Sequence, residues 1–245
     1  MDLRTGKGKT CRRIEKYRQE KYNYIIIISN HLAGRQSRMK KDALVLFQGD
    51  STSDCGRSRE DDHYLGTGYP CMTAALYGAL HPEKNVRFIN RAVSGNRSID
   101  LVNRWQRDCL DVKPDVVSIL IGINDTWRRF DRKDPTSAEV FRDHYRRILS
   151  QVREHLDADI ILMEPFLLMV TEEQKTSWRE DLNPKIDVVR ELAREFDAAL
   201  VPLDGIFAAA SSRKDPRFWA ADGVHPTAEG HAMICRHWLK AAESL

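Results

Sequence analysis

Five short apolar runs, each separated from the next by a stretch of helical periodicity, constrain this chain more than any single residue does. Leu44 to Phe47, Val86 to Ile89, Val116 to Ile121, Ile160 to Met163 and Leu200 to Leu203 are each four to six residues long. The first is continuous and closely followed by Gly49, which fits a strand of a parallel sheet that is covered on both faces. Between the runs, Met72, Ala75, Leu76, Ala79 and Leu80 recur at helical spacing within 69–80, and Ile99, Val102, Trp105 and Cys109 do so in the next interval. Ser137 to Leu156 reads as a long amphipathic helix with Val140, Tyr145, Ile148, Leu149 and Val152 inward. A further helix is expected from Asn183 to Phe196, with Pro184 in its first turn. A closing helix is expected from Pro226, with Ala228, Ala232, Cys235, Leu239 and Ala242 on one stripe. Strand and helix in alternation predict an α/β fold, a three-layer αβα sandwich around a mostly parallel five-stranded sheet.

Charge divides the chain in two. Residues 1–41 hold 12 Lys/Arg against 3 Asp/Glu, whereas the rest holds 27 against 33. The net charge of +3 therefore belongs to a basic N-terminal extension, and the body, 42–245, is expected to be one acidic domain with no affinity for nucleic acid. The extension's apolar run, Tyr24 to Ile28, is shorter than the roughly 7–15 residues of a secretion signal's core. Gly8-Lys9-Thr10 resembles the end of a phosphate-binding loop, but Leu3 stands where the first glycine belongs and no strand precedes it. The reading is of a mobile or adventitious extension on a cytoplasmic protein that does not enter a membrane. Five cysteines with no C-x-x-C pair (Cys11, Cys55, Cys71, Cys109, Cys235) suit reduced thiols, and no metal or cofactor is expected.

Four polar loops carry the chemistry. Gly49-Asp50-Ser51 ends the first apolar run, Ser94-Gly95-Asn96 follows the second, Gly122-Ile123-Asn124-Asp125 follows the third, and Asp222-Gly223-Val224-His225 precedes the last helix. In a parallel sheet the loops after the strands gather on one edge, where open α/β sheets place their ligand crevice. Together these residues divide the labour of acyl transfer. Ser51 is the candidate nucleophile, His225 the general base and acid, and Asp222 the group that holds the imidazole tautomer. The Ser51 and Gly95 backbone N–H groups and the Asn124 side-chain amide are the candidate oxyanion donors. Taken singly, each also suits a turn, a cap or a loop hydrogen bond. No G-x-S-x-G elbow occurs, which argues against the α/β-hydrolase superfamily.

In order, these four blocks resemble those of the SGNH (GDSL) hydrolases, over about residues 42 to 245. The context Asp54-Cys55-Gly56-Arg57, Ser94-Gly95-Asn96 and Asn124-Asp125-Thr126-Trp127 is most similar to the bacterial acetyl xylan esterase branch. The resemblance implies a flavodoxin-like SGNH fold and a metal-independent serine esterase that removes acetyl groups from xylan-derived sugars. It also raises the expectation of a homo-oligomer. One departure is Thr52-Ser53, where Leu or Ile and then Thr are usual, which questions the packing under the nucleophile. Asp50, Trp127 and Trp219 are the candidate substrate contacts, with Trp105 and Trp178 weaker ones, since an aromatic face can pack on a pyranose. Two other readings stand beside this one: a lysophospholipase or thioesterase, and a non-catalytic sugar-binding protein.

Overall fold

The computed structural model describes residues 39–245, so the basic extension, Gly8-Lys9-Thr10 and Cys11 lie outside the described residues. Strands β1 (Leu44–Gly49), β2 (Arg87–Asn90), β3 (Val116–Leu120), β4 (Asp159–Met163) and β5 (Ala199–Val201) form one sheet. Its order is β2-β1-β3-β4-β5, and every pair is parallel. This is the doubly wound order of the flavodoxin-like folds, in which the chain turns outward from β1 in two directions and leaves a crevice between β1 and β3.

Side chains alternate across the sheet, and each face buries its own core. On one face Val45, Phe47, Val116, Ile161 and Val201 pack under α2 (Tyr69–Leu80), α7 (Leu203–Ser211) and α9 (Ala228–Ala242). On the other, Leu46, Val117, Ile119, Ile160 and Leu162 pack under α3 (Ser98–Trp105), α5 (Ala138–His155) and α6 (Arg179–Glu195). Phe47 anchors the first face. Its ring lies 5.6 Å from Tyr69, 5.6 Å from Trp238 and 6.1 Å from Phe88. Each such pair contributes about 0.5–1.5 kcal/mol beyond burial. Trp238 also donates its Nε1–H to the buried Ser118 hydroxyl at 2.9 Å, which ties α9 to the central strand.

Several local readings need correction. In α2 the buried positions are Tyr69, Pro70, Thr73 and Tyr77, while Leu76 is exposed; two tyrosine rings bury more area than Ala75, Leu76 and Ala79, so the helix turns them inward. In α5 Val140 is exposed and the neighbouring Phe141 is buried, for the same reason. The expected 183–196 helix begins earlier. A π turn, Gln174–Trp178, runs straight into α6, so Pro184 lies inside the helix. Trp178, Leu182 and Ile186 form a stripe that packs against Ile123, Leu167 and Val224, and this tertiary contact overrides the proline's preference for a first turn. The last helix starts at Ala228 rather than Pro226, with the Thr227 hydroxyl accepting the Gly230 N–H. Leu203 opens α7 instead of closing β5. Two stretches read as loops are helical: α1 (Ser51–Asp54), directly after β1, and α4 (Ile123–Asp131), directly after β3. Among the described residues no helix is long and apolar enough to cross a membrane.

Candidate active site

Ser51 is the first residue of α1, and the close approach of two strands puts it there. A Cβ on Gly49 would fall 2.3 Å from the Leu120 carbonyl oxygen and 2.7 Å from Ser53 Oγ, so β1 can turn beside β3 only without a side chain. Asp50 then caps the turn, its Oδ1 accepting the Thr52 N–H at 3.0 Å. Thr52 and Ser53, the two departures from the usual block, are both buried. The Ser53 hydroxyl shares a 2.8 Å hydrogen bond with the Tyr69 hydroxyl, so a polar pair between α1 and α2 stands under Ser51.

The Asp222–His225 loop lies between α8 (Pro216–Trp219) and α9. Asp222 accepts from three donors: the Val224 N–H at 2.9 Å, the His225 N–H at 2.8 Å and His225 Nδ1 at 2.6 Å. Burial disfavours its charge, but the His225 ring and these two amides outweigh burial and hold the carboxyl well below the usual range. A carboxylate at Nδ1 puts the imidazole proton there, so Nε2 presents a lone pair. That Nε2 stands 3.0 Å from Ser51 Oγ. The hydrogen bond to Asp222 raises the His225 pKa above its ordinary 6.5, against the opposing effect of burial, with Asp50 adding to the rise.

The other two blocks close around the serine and are tied to each other. The Asp54 carboxylate, on α1, accepts the Ser94 N–H (2.7 Å), the Ser94 hydroxyl (3.0 Å) and Arg59 (2.5 Å). Burial raises its pKa, but these donors prevail and hold it low. At the far end of the Gly95 loop, Ser98 donates its N–H and hydroxyl to the buried Asp125 on α4, the hydroxyl at 2.6 Å. Burial still pushes Asp125 up to about 6. Asn124 Nδ2 donates to the Asn96 carbonyl at 3.1 Å, and its second N–H has no acceptor among the described residues. Neither the Ser51 nor the Gly95 N–H has a backbone acceptor among the described residues, and the space beside the Gly95 Cα is open.

The expected substrate contacts separate into three placements. Trp127 is brought to the site, its ring 5.9 Å from that of His225 and backed by Trp178 at 5.3 Å. Asp50 is instead turned inward and 1% exposed, bordering a narrow apolar crevice with Leu120, Ile123, Pro165 and Val224. Burial there pushes its pKa up to about 7. Its carboxyl turns onto the Thr52 amide that it caps, and the crevice walls cover it. Trp219 packs against the Phe47 core cluster and Phe218. Its ring makes no contact with the His225 ring among the described residues. Trp105 is buried under the opposite face of the sheet. Among the described residues no group of three His, Cys, Asp or Glu side chains is placed to hold a metal ion.

Gln174 supports the Asp222–His225 loop and has no mark in the sequence. Its buried Nε2 donates to the Asp222 carbonyl at 2.8 Å, while its Oε1 accepts the Val170 and Thr171 N–H groups at 2.9 and 3.1 Å. Leu168 N–H donates to the Gly223 carbonyl at 2.9 Å. Gly223 has φ +87°, and a Cβ there would stand 2.2 Å from the Leu168 carbonyl oxygen. The 168–174 segment is thus the bed on which the Asp222–His225 loop rests.

Residues 47–233 match the model of the GDSL-like lipase/acylhydrolase family. The chain is 36% identical over 203 residues to an acetylxylan esterase of Geobacillus stearothermophilus, covering 80% of this chain and 92% of that one. The crystal structure of the acetylxylan esterase from that organism superposes with a TM-score of 0.78 at 31% identity, covering 84% of this chain and 96% of the other. A protein of Parabacteroides merdae designated GDSL-like lipase gives a TM-score of 0.80 at 34% identity, covering 84% and 98%. Three solved variants of the Geobacillus enzyme, each called a catalytic mutant, have alanine in place of a serine, an aspartate and a histidine. In that enzyme the aspartate precedes the histidine by three positions, the spacing of Asp222 and His225 here.

Proposed function

Because this chain belongs to the GDSL-like lipase/acylhydrolase family and is a carboxylic ester hydrolase, we propose that it removes O-acetyl groups from acetylated sugars of the xylo-oligosaccharide type, with Ser51 as nucleophile. The observation that carries the mechanism is the unbroken hydrogen-bond chain Asp222–His225–Ser51. The sugar assignment is supported by the likeness to a structure called an acetyl-xylooligosaccharide esterase, and by the Trp127 ring beside His225.

The reaction proceeds in two halves. Ser51 Oγ attacks the acetyl carbonyl carbon while its proton passes to His225 Nε2, and Asp222 stabilises the resulting imidazolium. Negative charge grows on the carbonyl oxygen and is met by the Ser51 and Gly95 N–H groups and the free Asn124 N–H. The C–O bond to the sugar breaks, His225 gives its proton to the departing sugar oxygen, and acetyl-Ser51 remains. Water then attacks the acyl carbon, losing a proton to His225, and acetate leaves as Ser51 takes that proton back. Trp127 forms one wall over the imidazole, where a pyranose ring can lie against it.

The test is mass spectrometry of acetylated xylo-oligosaccharides incubated with the wild type and with Ser51→Ala. Stepwise loss of acetyl groups with the wild type alone is the expected result. Sugars left intact by a wild type that still cleaves a simple acetyl ester would retain the triad and remove the sugar assignment. An acyl-chain series separates the acetylesterase from a long-chain acyl hydrolase: activity is expected to fall steeply beyond two carbons, and tolerance of eight would reverse the reading.

A further inference from the structure

The Asn124 side chain poses a problem that its backbone position does not solve. The two ends of a primary amide have nearly the same shape and opposite polarity, and a half-turn about χ2 exchanges them. With the N–H end toward the tetrahedral intermediate the residue stabilises an oxyanion; with the carbonyl end there it repels one. The neighbours of Asn124 distinguish the two orientations. Its Nδ2 faces the Asn96 carbonyl, which can only accept. Its Oδ1 faces Arg128, one turn later on α4, whose Nη2 donates to it at 3.0 Å.

A guanidinium has five donors and no acceptor, so it tolerates the oxygen end of the amide and opposes the nitrogen end. Arg128 is itself held from two further sides. Its Nη1 pairs with the Asp131 carboxylate, and its guanidinium carbon lies 5.6 Å from the Trp127 ring centroid. Only 14% of the side chain is exposed. Pairing with Asp131 offsets its charge locally, leaving a fixed donor rather than a roaming cation. These contacts also join the candidate oxyanion donor to the aromatic wall over His225, because Trp127 is shared.

We propose that Arg128 is a positioning residue of the esterase, selecting the Asn124 amide orientation that presents N–H to the oxyanion. The inference rests on Asn124 being an oxyanion donor, and the experiment separates the two. Kinetics on a simple acetyl ester are measured for Arg128→Met, Arg128→Lys, Asn124→Ala and the Asn124→Ala/Arg128→Met double variant. Asn124→Ala is expected to lower kcat about 10²–10³-fold. Arg128→Met, which keeps the aliphatic stem and loses the donor, is expected to lower kcat about tenfold with KM changed less than twofold, as for an interaction made in the transition state. Arg128→Lys recovers most of that loss, because an ammonium still donates to Oδ1. In the Asn124→Ala background the Arg128→Met change costs nothing further, since no amide is left to orient. The acid limb of the pH profile, which reports His225, stays in place in Arg128→Met.

An equal loss with and without Asn124 would overturn the proposal, as would wild-type activity in Arg128→Met. A displaced acid limb would also overturn it, by routing the effect through Trp127 and His225. Full activity in Asn124→Ala would remove the oxyanion role of Asn124 and the positioning role of Arg128 together. Wild-type activity in Arg128→Met beside a crippled Asn124→Ala removes the second alone.

Discussion

The turn that carries Ser51 and the loop that carries Asp222 and His225 meet across 3.0 Å but are built in opposite ways. The serine turn grows out of the central strand. Thr52, Ser53 and Asp54 are buried, and the turn is fixed by β1 behind it and the Ser53–Tyr69 hydrogen bond beneath it. The Asp222–His225 loop has no strand behind it, its two functional side chains are about half exposed, and it is placed by what it rests on. A nucleophile must be exposed at one atom and otherwise immobile. An acid–base group must turn between two partners and accept a proton at each half-reaction, which suits a loop held by its backbone with a free edge.

The largest expected effect attacks what the two regions share. Ser51→Ala removes the proposed nucleophile and is expected to lower kcat about 10⁵–10⁶-fold with little change in Tm, measured on an acetyl ester and by thermal denaturation. Asp222→Asn sharpens the comparison by leaving the loop's shape while changing its charge. An amide at Nδ1 no longer enforces the tautomer, and a loss of about 10⁴-fold follows. The sign of its pH effect is set by His225, the proposed base, which must be neutral to take a proton. In the wild type the Asp222 hydrogen bond raises the His225 pKa, so the acid limb of kcat/KM is expected at higher pH than for a free imidazole. Without that carboxylate the limb moves to lower pH even as the plateau falls.

Smaller effects test the supports. Gly223→Ala demands a left-handed backbone at Ala and forces a Cβ against the Leu168 carbonyl. The expected result is a loss of about 10²-fold in kcat as the loop lifts, with a lower Tm. Gln174→Leu leaves the Asp222 carbonyl and two amides of the supporting segment unpaired; about a tenfold loss in kcat is expected. On the serine side, Tyr69→Phe strands the Ser53 hydroxyl and costs about 1–3 kcal/mol of stability, read by denaturant titration, with kcat within about twofold of wild type. If Tyr69→Phe lowers kcat more than Gln174→Leu does, the contrast between a rigid turn and a supported loop is wrong.

The same contrast explains what could be read in the chain beforehand. Strands and the residues at their ends were legible because an apolar run and the glycine that stops it are neighbours in sequence, as in Leu46-Phe47-Gln48-Gly49. The order of the four blocks followed, because a parallel sheet sends every strand's end to one edge. What holds the blocks was not legible. Gln174 stands in Glu173-Gln174-Lys175-Thr176, which reads as any solvated helix face, and its partner Asp222 is 48 residues away. The Asp125–Ser98 tie and the Arg59–Asp54–Ser94 cluster likewise join residues with no local signature. Helix faces were misplaced where alanine and leucine outnumbered larger aromatic residues, as with Leu76 beside Tyr77, since area buried and not the number of apolar letters decides the inward side. Asp50 shows the same limit, because a cap and a substrate contact call for the same side chain and only its burial, 1% exposed, is new in the structure.

Ser51 and His225 are 174 positions apart along the chain, with most of the sheet between them. A ribosome releasing this polypeptide completes the nucleophile's strand and turn early, and must still make β2 through β5 before the base exists. The loop bearing that base is in turn followed directly by α9, whose Trp238 reaches back to Ser118 in the central strand. Hydrolysis of an ester is therefore a signal from the finished molecule. A nascent chain stalled after β3 but before His225 should already hold the serine turn against its neighbouring strand and Tyr69, and should cleave nothing.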